Sequence, residues 1–151
     1  MTFTVRLLSP DISQEITACN HVMLPAVNGD ISILTGHSRL VTVLKIGVFL
    51  EKTEKGWAPT IILGGFAEMH NDVLIVLVLG IEKISQDLTL EDANKGVEEA
   101  SKELEKLKGQ LMELNTPLEN DPNIIEAKTS LDVASARLQA CQYINGIGSK
   151  Y

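Results

Sequence analysis

Aromatic side chains are scarce: three Phe, two Tyr and one Trp make up 4% of the 151 residues. A platform for single-stranded nucleic acid stacks bases on such rings, so the composition argues against one. Positive charge is short as well. Thirteen Lys and Arg stand against twenty Asp and Glu, for a formal net charge of −7, and an acidic chain is a poor generic partner for DNA, RNA or anionic lipid. The two cysteines, Cys19 and Cys141, lie far apart and outside any CxxC pair, which excludes a structural zinc site on spacing. They read as free thiols in a reducing compartment. The strongest apolar run, VLIVLVLGI at residues 73–81, falls well short of the roughly 20 residues a membrane-spanning helix needs. The opening MTFTVRLLSPD has neither an apolar signal core nor an Arg/Ser-rich transit pattern, which predicts a soluble protein made where it works.

Signs of catalysis are missing too. His21, His37 and His70 are not paired at metal-ligand spacing, and no nucleophile elbow occurs. Gly29 and Gly36 do not build a phosphate loop, and Gly64-Gly65 is too short for a dinucleotide fingerprint. His37 reads as a turn histidine bonded to backbone. The residues predict no metal, no cofactor and no enzyme.

What is present divides into two halves with different periods. Phe3, Val5 and Leu7 alternate with Thr4 and Arg6, the pattern of a half-buried strand. HVMLPA, GDISIL, VTVLKIGVFLE, WAPTIIL, GGFAEMH and VLIVLV follow, separated by turn residues such as Asn28-Gly29-Asp30, Glu54-Lys55-Gly56 and Asn71-Asp72. Short strands at close spacing predict an antiparallel sandwich or barrel. Pro25 and Pro59 belong at strand ends or edges, since proline gives nothing to a ladder.

From Leu90 the period becomes helical. Leu90, Ala93, Val97, Ala100, Leu104, Leu107, Leu111 and Leu114 form one stripe; Ile124, Ala127, Leu131, Ala134, Leu138 and Cys141 form a second. Thr89 with Asp92 resembles a capping box, Pro117 closes the first helix, and Asp121-Pro122 opens the second. Gly146 to Ser149 is too glycine-rich to continue it. The predicted fold class is β + α: an N-terminal antiparallel β-sandwich over residues 1–86, then an antiparallel two-helix hairpin with a flexible tail over 87–151, the boundary lying between Ser85 and Leu88. So thin a hairpin buries one seam and needs support from the sandwich or a partner. It also carries most of the negative charge, net −5 for residues 85–151 against −2 before them.

One segment points to a family. LPAVNGDISILTGHSRLVTVLKIG, residues 24–47, resembles the signature of the epsilon subunit of F-type ATP synthases at Leu24, Pro25, Gly29, Leu34, His37, Leu40, Thr42, Leu44 and Gly47. The strand Gly64-Gly65-Phe66-Ala67-Glu68, followed by Val73 to Val78, resembles that family's second motif, and the preceding GWAPTIIL is most similar to plastid members. The resemblance implies a non-catalytic central-stalk subunit coupling ring rotation to ATP synthesis. The sandwich would bind the gamma subunit and the ring of c subunits, and the hairpin would inhibit ATP hydrolysis when extended, contacting the beta subunit. On this reading His37, Arg39, Leu40, Lys128 and Arg137 are partner-contact residues. The implied location is the stromal face of the plastid thylakoid membrane, or otherwise the cytoplasmic face of a bacterial inner membrane.

The chain departs from the family at several points. Ala26 and Arg39 stand where glycine and proline are usual. Where nucleotide-binding members carry I-D-x-x-R-A, this sequence has LTLEDA, with Thr89 and Asp92 replacing the acid and the arginine; a phosphate would meet a carboxylate, so ATP binding is not expected. The second helix keeps only Arg137 and Lys128 of the family's cationic grip, beside Glu126 and Asp132. A chaperone-like or adaptor protein is the competing reading; it needs exposed apolar helix tips, whereas the link between the helices reads as polar.

Overall fold

The computed structural model describes residues 1–84, 87–114, 117 and 121–144. Eight strands precede two helices: β1 (Phe3–Leu8), β2 (Ser13–Cys19), β3 (His21–Ala26), β4 (Gly29–Leu34), β5 (Leu40–Thr53), β6 (Gly56–His70), β7 (Val73–Val78), β8 (Ile81–Glu82), α1 (Leu90–Glu113) and α2 (Pro122–Ile144). The strand order is β2-β1-β7-β6-β5-β3-β4, with β8 on β6. One core joins Val5, Leu7, Val22, Leu24, Ile33, Phe49, Met69 and Leu74. It draws on strands from both ends of that order, so the sheet closes over itself as a sandwich. The pairing is antiparallel with one correction: β1 lies parallel to β7, because the first strand returns beside one much later in the chain.

Two further expectations need adjustment. WAPTIIL and GGFAEMH are halves of the single strand β6, bent at Gly64 and Gly65. A Cβ on Gly65 would lie 2.0 Å from the Leu77 carbonyl oxygen, and its φ is +145°, so only glycine fits the bend. The phase of the alternation flips there: Ile62 points into the core before it, Ala67 and Met69 after it. β5 flips between Leu44 and Phe49 in the same way. Strand β2 has no counterpart in the pattern reading; it lies at one end of the strand order and leaves most of its residues in solvent. Pro25 lies within β3, which is not an edge strand, at a break in its register with β5 between Met23 and Ala26. Pro59 lies in the part of β6 that precedes the β8 pairing, and it faces β5.

The helices start as their sequences predict. Thr89 Oγ1 accepts from the Asp92 amide at 3.1 Å, and Asp121 Oδ1 accepts from the Asn123 and Ile124 amides at 2.9 and 3.3 Å. Glu91 and Asp92 sit favourably in the first turn of α1. The helices pack on each other through Leu104, Ile124 and Ala127, with Leu107, Leu111 and Leu131. A second buried face on α2 is not evident in the stripe: Ala136 and Ala140 lie against Val48, Leu50, Trp57 and Ile61, with Tyr143 and Ile84 alongside. The hairpin thus leans on the sandwich through α2, and α1 is the outer layer. The expected link at Asn115, Thr116 and 118–120, the boundary residues Ser85 and Gln86, and the tail at 145–151 lie outside the described residues.

Candidate interaction surfaces

The outward faces of β5 and β6 receive two different treatments. On one side of the bend, α2 covers Val48, Leu50, Trp57 and Ile61. On the other, a row of outward apolar side chains is uncovered. Val43 pairs with Phe66 across β5 and β6, Phe66 with Leu77 across β6 and β7, and Leu77 with Leu8 across β7 and β1. Directly opposed residues share a face, so these side chains form one row. Phe66 is 57% exposed and Leu77 52%. Val41, Val27 and Leu79, the last at 78%, extend the exposed apolar set. Single exposed hydrophobes are ordinary; a contiguous row across four strands marks a contact surface. Charge borders it: Arg39 pairs with Glu68 at 3.7 Å, and Arg6 with Glu15 at 3.4 Å. The sequence reading placed none of Val43, Phe66 or Leu77 among the contact residues. Their strand alternation is ordinary, and only the cross-strand register brings them together.

The predicted contact residues fall in two places. His37, Arg39 and Leu40 belong to the β4–β5 connection and the start of β5. The His37 ring Nδ1 lies 2.7 Å from the Ser38 carbonyl oxygen and the His37 amide donates to the Leu34 carbonyl at 3.1 Å, the turn role expected of it. Leu40 is half-buried against the core. The Gly36 amide donates to Asp72 Oδ1 at 2.9 Å, tying this connection to the β6–β7 turn. There Asn71 and Asp72 take φ of 49° and 58°, the left-handed pair of a tight hairpin turn. His37 and Arg39 share a surface cleft with His70 and Asp72.

Lys128 is exposed on α2. Arg137 is engaged: its Nε donates to Glu82 Oε1 at 2.6 Å and its Nη2 to Glu82 Oε2 at 3.1 Å, a two-pronged ion pair between α2 and β8. At the far end of the hairpin Met112, Leu114 and Ile125 are exposed, so this end is less polar than the link residues alone suggest. Cys19 and Cys141 are buried thiols, both shifted upward chiefly by burial, which disfavours the reactive thiolate. Thr89 and Asp92 are joined in the helix cap described above, with Glu91 beside them. Among the described residues no cluster of His, Cys, Asp and Glu is arranged to hold a metal, and no helix is long and apolar enough to cross a membrane.

Comparison with known proteins gives these surfaces a setting. The family described as "ATP synthase, Delta/Epsilon chain, beta-sandwich domain" matches residues 2–84. The ATP synthase epsilon chain, chloroplastic, of Pylaiella littoralis is 37% identical over 144 residues, covering 95% of this chain and 100% of its own. The protein of the same name from Gracilaria tenuistipitata var. liui is 35% identical, covering 95% and 98%. The ATP synthase epsilon chain of Prochlorococcus marinus (strain MIT 9211) is 35% identical, covering 93% and 97%. Among solved structures, a chain of the Euglena gracilis mitochondrial ATP synthase superposes with a TM-score of 0.65 at 18% identity, covering 90% of this chain and 78% of its own. At that identity the likeness speaks for the fold. With near-complete coverage of relatives above 30% identity and a matching sandwich profile, the chain belongs to the ATP synthase epsilon family.

Proposed function

We propose that the sandwich docks on the gamma subunit of an F-type ATP synthase through the row Val43–Phe66–Leu77, and on the c ring through the end that carries His37, Arg39 and Leu40. As a member of the epsilon family the chain is a non-catalytic subunit of the ATP synthase complex, in the central stalk that couples ring rotation to ATP synthesis. Residues 1–86 serve as the docking unit and 87–151 as a regulatory unit, whose extension from the sandwich restrains ATP hydrolysis and brings Lys128 and Arg137 toward the beta subunit. The complex is membrane-bound and this subunit peripheral to it. Chloroplastic relatives favour the stromal face of a thylakoid membrane.

The observation that carries the docking assignment is the uncovered apolar row. α2 covers the neighbouring half of the same outward surface with Ala136 and Ala140, so the bare half is where a second protein finds apolar area to bury. The test is to mix the purified full chain with the gamma subunit of a chloroplast ATP synthase and run size-exclusion chromatography. One-to-one co-migration is expected. A folded chain that elutes alone at micromolar concentrations would overturn the assignment.

A further inference from the structure

The ion pair between Arg137 and Glu82 has a place in the fold that its distance alone does not convey. Glu82 is the last residue of β8, the last strand before the helices. Arg137 is the only arginine in the sequence after residue 39. It lies on α2 next to Ala136, three residues before Ala140, the two alanines that seat the helix on Trp57 and Ile61. Arg6–Glu15 and Arg39–Glu68 stay within the sandwich and Lys95–Glu91 within α1; Arg137–Glu82 joins the two halves. The Nε and Nη2 contacts to the two carboxylate oxygens, at 2.6 and 3.1 Å, form a bidentate fork, the geometry in which a guanidinium holds a carboxylate best.

We propose that Glu82 is the catch of an ionic latch: it holds Arg137, and through it α2, on the sandwich, and it must let go before the hairpin can leave. The inference rests on the reading above only in taking the hairpin to be mobile; the latch itself is a property of the isolated chain. The apolar seat contributes surface without direction. Ala136 and Ala140 are small, and a helix seated on small side chains can slide or lift at modest cost. The two-pronged pair fixes both the register and the angle of α2. It also makes release salt-dependent, because the side chains are 46% and 34% exposed and ions reach them. Arg137 would then have two exclusive uses. Held by Glu82 it keeps the hairpin down; only once released is it free to meet an acidic partner.

The test uses the isolated full chain carrying Ala136→Cys, a probe in the seat that becomes reactive only when α2 lifts. Native Cys19, in the sandwich core, reports global unfolding in the same sample. N-ethylmaleimide labelling is followed by peptide mass spectrometry, with and without Glu82→Gln. A half-exposed, well-formed pair predicts labelling of the introduced thiol about fivefold faster in the Glu82→Gln protein, with Cys19 unchanged. At 0.5 M NaCl the difference should shrink below about twofold. The double exchange Glu82→Arg with Arg137→Glu should restore slow labelling and guards against misreading a folding defect. Equal rates at low salt would overturn the latch. So would parallel acceleration of Cys19, which would make Glu82 a general stability residue. Either failure leaves docking on gamma untouched.

Discussion

Replacing Phe66 by alanine separates docking from folding. A phenylalanine buries roughly 150–250 Å² when covered. With Phe66 57% exposed in the free chain, about 100 Å² remains to be covered by a partner, worth about 2.5 kcal/mol at ~25 cal/mol/Å². If gamma covers the ring fully, Phe66→Ala weakens the complex about 70-fold. The fold should lose less than about 1 kcal/mol, since most of the ring already faces water. Phe49, 1% exposed in the core, gives the opposite result: its alanine variant costs about 3–5 kcal/mol of stability. The assays are titration calorimetry against gamma and urea unfolding of the free chain. An unchanged affinity in a folded Phe66→Ala protein would refute the assignment of this face.

Other consequences follow from the same geometry. Gly65→Ala should destabilise the sandwich by about 3 kcal/mol or more by urea unfolding, because its Cβ meets the Leu77 carbonyl and its φ is positive; a loss under about 1 kcal/mol would mean the bend relaxes. Gly96 sits inside α1 with nothing within 4 Å of an added Cβ, so Gly96→Ala should stabilise the helix by about 1 kcal/mol, read as a higher urea midpoint. His21 packs edge-on to Trp57, with ring centroids 4.8 Å apart, and its ring bonds to Ser32. Burial, helped by Lys52, lowers its pKa below the ordinary 6.5. The unfolded chain then takes up the proton first, so His21 should cost stability as the pH falls through about 6.5 toward the lower folded value, and none above it. His21→Gln should flatten urea midpoints between about pH 7.5 and 5.5. Midpoints that fall equally in both proteins would assign the effect to other groups.

Much of this was legible in the residues. Apolar segments bounded by turn residues marked β3, β4 and β7 to their ends, period-two alternation marked β1, and the change to helical spacing marked both helices with their Thr89 and Asp121 caps. These signals are local, and each depends on a few neighbouring side chains. What the pattern missed depends on distant pairing. β2 has few inward residues, so its alternation is faint. The parallel β1–β7 pairing joins strands far apart in the chain, such as Val5 with Leu74, about which no local period carries information. Gly64-Gly65 looked like a break between strands because glycine also ends them; here the pair bends one strand without ending it. The second face of α2 was hidden because Ala136 and Ala140 are too weakly apolar to stand out beside Leu131 and Leu138. The contact residues His37, Arg39 and Leu40 followed from family resemblance. The Val43–Phe66–Leu77 row needed the register.

On the docking proposal, a partner covers the bare half of the sandwich face in the assembled enzyme. Hydroxyl-radical footprinting of the full chain, free and reassembled into an epsilon-depleted chloroplast ATP synthase, addresses it side chain by side chain. Phe66, Leu77 and Leu79 should become several-fold less reactive on assembly, whereas Trp57, already shielded by α2 in the free chain, should not lose reactivity. Undiminished oxidation of Phe66, Leu77 and Leu79 in an assembled, ATP-synthesising complex would mean that no partner covers this face.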